Sequence, residues 1–140
     1  MANKNSKEGL ISEIPESYQR YLDEIFIISR KKKGGWVSNK ELADNLDVKP
    51  ASVSGMLEKL EKQGLIDWKP RKSIRLTEKG KTIARQLNET HELLRDFFQK
   101  VLEISDEKVV DNISCEIEHH ITSHVKKKLK EFLSKYLKQI

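Results

Sequence analysis

The change of hydrophobic period between residues 38 and 76 constrains this chain more than any other feature. Ser38 followed by Glu41 has capping-box spacing, which predicts a short helix over about Asn39 to Leu46. Asp47-Val48-Lys49 reads as a tight turn. Pro50 then starts a second helix, because its missing N–H costs nothing in a first helical turn. Val53, Met56, Leu57 and Leu60 fall on one stripe of that helix, and Gly64 ends it. Beyond Gly64 the helical period is lost. Leu65-Ile66-Asp67-Trp68-Lys69 and Ser73-Ile74-Arg75-Leu76 read as short strands, with Pro70-Arg71-Lys72 at the tip between them. Two short helices joined by a tight turn make a helix-turn-helix, and a cationic hairpin directly after the second helix is a wing. Trp36-Val37 predicts a third short strand.

The flanks are helical. Pro15 opens a helix with Tyr18, Tyr21, Leu22, Ile25 and Ile28 on one face, stopped by Gly34-Gly35 after a run of cations. Thr77 caps a long helix, about 78–102, with Ile83, Leu87, Leu94, Phe98 and Val101 aligned. Ser105-Asp106 starts another that reaches about Ile121, and Ser123 starts the last. The expected fold is therefore mostly α: an N-terminal extension (1–14), a winged helix-turn-helix with a small β-hairpin (15–80), and an all-helical domain (81–140). The long helix is expected to link the two domains.

Charge is unevenly spread. Residues 1–90 hold 18 Lys and Arg against 13 Asp and Glu, whereas residues 91–140 hold nine of each. A localised basic excess on a folded segment suits a polyanion, and the winged helix makes double-stranded DNA the expected partner. The apolar stripe of the second helix leaves Ala51, Ser52, Ser54, Gly55 and Lys59 pointing away from the core. Small residues there allow close approach to base edges, Ala51 to a thymine methyl and the serines to bases or phosphates. Lys49, Lys59, Arg71, Lys72 and Arg75 are candidates to neutralise phosphates. The sequence carries no glycine-rich phosphate loop, no serine–histidine–acid signature and no paired acids in a plausible cleft, so it does not read as an enzyme. A single cysteine, a polar N-terminus and no apolar run of membrane length point to the cytoplasm and away from membranes.

All four histidines lie in the second half, at 91, 119, 120 and 124. Cys115, Glu118 and His119 are spaced i, i+3 and i+4, so they leave one helical face together, with Asp111 a turn earlier. Thiolate, carboxylate and imidazole are all transition-metal donors. Val109, Val110, Ile113, Ile117 and Ile121 form the expected apolar face opposite them, which makes a solvated polar face the plainer reading. Two features argue against it. Free cysteine is usually buried, and His91 sits on the inward stripe of the long helix between Leu87 and Leu94, where an apolar residue is expected.

With these residues in view, the chain resembles the diphtheria toxin repressor family, and most closely its short, two-domain, manganese-sensing branch. The resemblance is carried by Tyr21-Leu22-Asp23-Glu24-Ile25-Phe26, by Lys49-Pro50-Ala51-Ser52-Val53-Ser54, by Gly64-Leu65-Ile66, and by Leu76-Thr77-Glu78-Lys79-Gly80. His91-Glu92-Leu93-Leu94 and Cys115-Glu116-Ile117-Glu118-His119-His120 complete it, and are its most specific part. The resemblance implies a metal-dependent repressor of metal-homeostasis genes. It would be a homodimer built from the later helices, binding a palindromic operator. Asp23, His91, Cys115, Glu118 and His119 would be the metal ligands, bracing helix one against the later helices. Fe²⁺ or Mn²⁺ is the implied ion. Cysteine occupies the position of Cys115 in the iron-type branch, and a thiolate favours Fe²⁺, Zn²⁺ or Co²⁺ over Mn²⁺. Two positions depart from the family pattern. Arg20 replaces a ligand just before Tyr21, for which Glu16 is a substitute one turn away, and Arg95 replaces an ancillary glutamate. Both departures point to one ion rather than two. The competing reading keeps the winged helix without metal control, or with another effector.

Overall fold

The computed structural model describes residues 14–69 and 73–138. The wing-tip cations Arg71 and Lys72 therefore lie outside the described residues. Two compact units divide near residue 85.

In the N-terminal unit, α1 (Glu16–Ser29) buries Leu22, Ile25 and Ile28. A short 3₁₀ turn follows at Lys33–Gly35, where Gly34 and Gly35 adopt φ of 81° and 71°. Helix α2 (Asn39–Leu46) starts at the expected capping box: Glu41 N–H donates to Ser38 Oγ, and Ser38 N–H donates to the Glu41 carboxylate. Asp47 closes it in the left-handed region at φ 56°. Helix α3 (Pro50–Lys62) has Pro50 in its first turn and buries Val53, Leu57 and Leu60. Strands β1 (Ile66–Lys69) and β2 (Ser73–Leu76) pair antiparallel, with Ile66 opposite Leu76 and Trp68 opposite Ile74.

The third strand expected at Trp36-Val37 shrinks to one bridge. Val37 exchanges backbone hydrogen bonds of 2.8 Å with Ile74 in both directions, and pairing then stops. The physical reason is local: the next residue, Ser38, is already committed as the cap of α2.

Helix α4 (Glu78–Asp96) continues as a π-helical turn through Val101, close to the predicted 78–102. Thr77 anchors its start, donating to Gly64 O at 2.7 Å and accepting from Gly80 N–H at 3.1 Å. In the C-terminal unit, α5 (Glu107–Ile117) is capped by Asp106 and gives way to a 3₁₀ turn at Glu118–His120. Helix α6 (Ser123–Lys138) follows. Leu87, Leu94, Val110 and Leu133 form its core, flanked by edge-to-face contacts of Phe97 with Phe98 and Phe132.

Helix α5 corrects one expectation. Of the apolar face Val109, Val110, Ile113, Ile117 and Ile121, Val110 is buried as expected, but Val109 and Ile113 are 49% and 39% exposed, and Ser114 and Glu118 are buried in their place. The face judged polar and solvated points into the unit. Among the described residues, no helix is long and apolar enough to cross a membrane.

Candidate metal centre and nucleic-acid interface

The reading face of α3 is open. Lys49, Ala51, Ser52, Gly55 and Lys59 are exposed, on the side away from Val53, Leu57 and Leu60. Among the described residues nothing lies within 4 Å of a Cβ built on Gly55, so none of them demands glycine there. Ser54 departs from the simple picture. It is half-buried, and Asn39 Nδ2 donates to its Oγ at 3.3 Å, which ties α3 to the start of α2. On the wing, Arg75 is exposed and its guanidinium lies 5.1 Å from the Trp36 ring centroid; Lys69 approaches the same ring at 5.6 Å. Lys69 was not singled out by sequence reasoning. Its position at the hairpin end, one residue from the predicted tip, was the available signal.

Three of the five predicted metal-type residues converge. His91 on α4, Cys115 on α5 and Glu118 at its C-terminal end bring their donor atoms within 4.8 Å of one another. His91 Nδ1 lies 2.8 Å from Glu118 Oε1 and 3.9 Å from Cys115 Sγ. Although α5 tightens to a 3₁₀ turn after Ile117, Glu118 keeps helical dihedrals, so the i, i+3 relation to Cys115 survives. His119 is also buried, with its side chain 3% exposed and Nε2 3.9 Å from Glu118 Oε2. Asp23 is buried on α1 and belongs to the N-terminal unit. Arg20 is directed to Glu16, with a guanidinium nitrogen 2.6 Å from the carboxylate.

The other side of the His91 ring is also organised. Nε2 lies 3.6 Å from Asp111 Oδ1, and Arg95 Nε lies 3.2 Å from that same oxygen. The spacing that produces this is simple: Arg95 is one turn past His91, and Asp111 is one turn before Cys115.

Electrostatically, the cluster is built around a positive charge. Burial by itself would push the His91 imidazole down. Cys115 and Glu118 outweigh it and hold the pKa up at about 10. In the metal-free protein the ring is therefore an imidazolium, with Nδ1–H donating to Glu118. That proton is the compensating cation for a carboxylate only 2% exposed. Glu118 Oε2 accepts no hydrogen bond from the described residues. A half-buried thiol and imidazole beside a buried carboxylate, with one carboxylate oxygen unsatisfied, fit a divalent transition ion in place of the proton.

The chain matches two family descriptions that together cover most of it: "Iron dependent repressor, N-terminal DNA binding domain" over residues 13–74, and "Iron dependent repressor, metal binding and dimerisation domain" over residues 77–138. An uncharacterised helix-turn-helix transcriptional regulator of Methanocaldococcus jannaschii is 31% identical over 86% of this chain and 95% of its own. The transcriptional regulator MntR of Oceanobacillus iheyensis is 34% identical over 76% of this chain and 69% of its own. Among solved structures, a manganese-dependent transcriptional repressor complexed with manganese superposes with a TM-score of 0.74. It is 26% identical over 84% of this chain and 52% of its own. IdeR of T. acidophilum superposes with a TM-score of 0.69 at 18% identity, a likeness of fold, over 96% of this chain and 56% of its own. The chain thus spans about half the length of these solved structures. It belongs to the iron-dependent repressor family of metal-dependent transcriptional regulators.

Proposed function

We propose that this chain acts as a homodimeric, metal-activated repressor of metal-homeostasis genes in the cytoplasm, binding a palindromic operator in double-stranded DNA. The observation that carries the metal half of this reading is the convergence of His91, Cys115 and Glu118 within 4.8 Å. The DNA half rests on the open face of α3 beside a cationic wing.

His91 Nδ1, Cys115 Sγ and the Glu118 carboxylate form the proposed core of the metal site. His119 joins from the adjacent position, and Asp23 is proposed as a further ligand on the resemblance alone. A bound divalent ion supplies one positive centre around which thiolate, carboxylate and neutral imidazole gather. Cys115 and His91 each give up a proton to serve. Asp111, held by Arg95 and 3.6 Å from His91 Nε2, would place its charge on the Nε2–H side and favour the tautomer that leaves Nδ1 free to ligate. Arg95 places a cation beside the Nε2 side of the ring, which supports one ion per protomer. Fe²⁺ is the ion best matched to a thiolate-containing set among the two implied, with Mn²⁺ next and Zn²⁺ and Co²⁺ as chemically suited substitutes. In the DNA complex, Lys49, Lys59, Arg71, Lys72 and Arg75 are proposed to meet phosphates. Ala51, Ser52, Ser54 and Gly55 are proposed to face the bases. No catalytic step is part of this reading.

The test is binding of duplex DNA, selected from a random pool, with chelator and with each of Fe²⁺, Mn²⁺, Co²⁺ and Zn²⁺. Metal is expected to tighten binding roughly 5–150-fold, the ordinary range of an allosteric coupling. Elemental analysis is expected to give one ion per protomer. Equal DNA affinity in every condition would overturn metal control and leave a metal-independent winged-helix regulator.

A further inference from the structure

The N-terminal unit contains a cavity of about 310 Å³ that shares only Arg75 with the DNA assignment and nothing with the metal assignment. Its wall brings together Arg30 from the end of α1, Arg75 from β2, and Lys81 and Arg85 from α4, with Phe26 as an apolar side and the Gly34–Gly35 backbone at its edge. Among the described residues no aspartate or glutamate lines it. Elsewhere in the same unit some cations are matched, Arg20 to Glu16, Lys32 to Glu41 and Lys40 to Asp44. Around the cavity Lys81 alone has an acidic partner, Glu78 at 3.6 Å, and that carboxylate is 86% exposed. Arg30, Arg75 and Arg85 form no ion pair among the described residues. Two of these guanidinium groups are instead positioned by rings, Arg30 at 5.2 Å over Phe26 and Arg75 at 5.1 Å over Trp36.

Four like charges drawn from three separate segments repel one another, and a bound anion offsets that cost. Guanidinium forks match tetrahedral oxyanions in a way that ammonium groups do not, and three of the four cations are arginine. The volume is at the lower end of the range for small-ligand pockets, large enough for a phosphate group and part of what carries it.

We propose that this cavity is a phosphate-binding site, distinct from the metal centre and from the reading face of α3. The phosphate can arrive on a free phosphate-bearing molecule or on the backbone of bound DNA. The first source is independent of the repressor reading, whereas the second rests on it.

The experiment titrates inorganic phosphate into the full-length protein at constant ionic strength and follows the amide resonances of Gly34 and Gly35. Saturable shifts are expected with phosphate and not with chloride. Arg30→Gln/Arg85→Gln is expected to weaken binding at least about tenfold, since it removes two charge-assisted contacts. Lys40→Gln/Lys79→Gln removes the same charge elsewhere in the unit and is expected to leave the titration unchanged. The second arm measures the salt dependence of DNA binding by the arginine variant. Its log–log slope falls by roughly 0.9 for each backbone phosphate lost, if DNA is the source. An unchanged slope with retained phosphate shifts assigns the site to a free phosphate-bearing ligand. Absence of saturable shifts together with an unchanged slope, or equal weakening by both double variants, overturns the proposal. The phosphate titration does not depend on metal, so failure there is separable from failure of metal control.

Discussion

At the scale of single residues, His91 decides how the C-terminal unit behaves with and without metal. Its two ring nitrogens have different tasks: Nδ1 faces Glu118 and Cys115, and Nε2 faces Asp111. Removing the charge of Asp111 leaves the first set of contacts intact and loosens only the orientation of the ring. Asp111→Asn is accordingly expected to lower metal affinity about 10–100-fold, the usual effect of losing an outer-shell carboxylate. Competition against a chelating dye checks it, and unchanged affinity would show that Asp111 does not position His91. A second expectation concerns the metal-free protein. The His91 pKa stands at about 10 in the folded chain against 6.5 for the free side chain. Below about pH 6.5 both folded and unfolded chains carry the proton, and its stabilising effect is fully present. Between about 6.5 and 10 the folded chain holds one proton more than the unfolded, so stability falls as pH rises through that window. Urea midpoints of chelator-treated protein should decline across it, and Glu118→Gln, which removes one of the two groups that raise the pKa, should flatten the decline.

At the scale of elements, the joint between the hairpin and α4 leaves no room for a side chain at Gly80. Gly80 is buried in the first turn of α4, and a Cβ there would lie 3.1 Å from the Leu65 carbonyl carbon and closer still to its oxygen. Because the obstacle is backbone, no side-chain rotation relieves it. Alanine ordinarily favours a helix over glycine by about 1 kcal/mol. Here the overpacking cost of about 1–3 kcal/mol is expected to dominate, so Gly80→Ala should lower the urea midpoint. A higher midpoint would mean that the Leu65 segment yields freely. The elements that were legible in the sequence are those set by local chemistry: the Ser38–Glu41 box, Pro50 in the first turn of α3, the Thr77 cap and the paired strand runs. What was not legible depends on contacts made at a distance. The inward face of α5 is the clearest case. Its apolar stripe from Val109, Val110 and Ile113 shares only Val110 with the buried line through Val110, Ser114 and Glu118. A periodicity argument chooses the oilier stripe, whereas the folded unit chooses the one that gives His91 its partners. The trio was therefore found by donor chemistry and misplaced by hydrophobicity. The Arg95–Asp111 pair was not legible, because it joins side chains of two helices far apart in the sequence.

At the scale of the whole molecule, the C-terminal unit leaves apolar surface that its own helices do not cover. Val109 and Ile113 on α5, and Val125 and Phe132 on α6, are each 39–49% exposed. Phe132 nevertheless contacts Phe97 and stacks on Tyr136, at centroid separations of 6.2 and 5.7 Å. Exposed apolar side chains that recur on two helices of one unit mark a surface used for association. The match of residues 77–138 to a metal-binding and dimerisation domain makes a second copy the proposed occupant. Two copies offer two reading helices to a palindrome, and contact with the first half-site makes contact with the second effectively intramolecular. Ile113→Asp places a carboxylate on that surface without disturbing the buried line of α5. It should shift the sedimentation of the protein from dimer to monomer and leave the helical circular dichroism in place. Loss of the second half-site should weaken operator binding by about 10²–10⁴-fold, while each protomer keeps its ion because Cys115 and Glu118 lie on the buried side of α5. A variant that remains dimeric and binds DNA as tightly as the parent would move the interface away from α5 altogether.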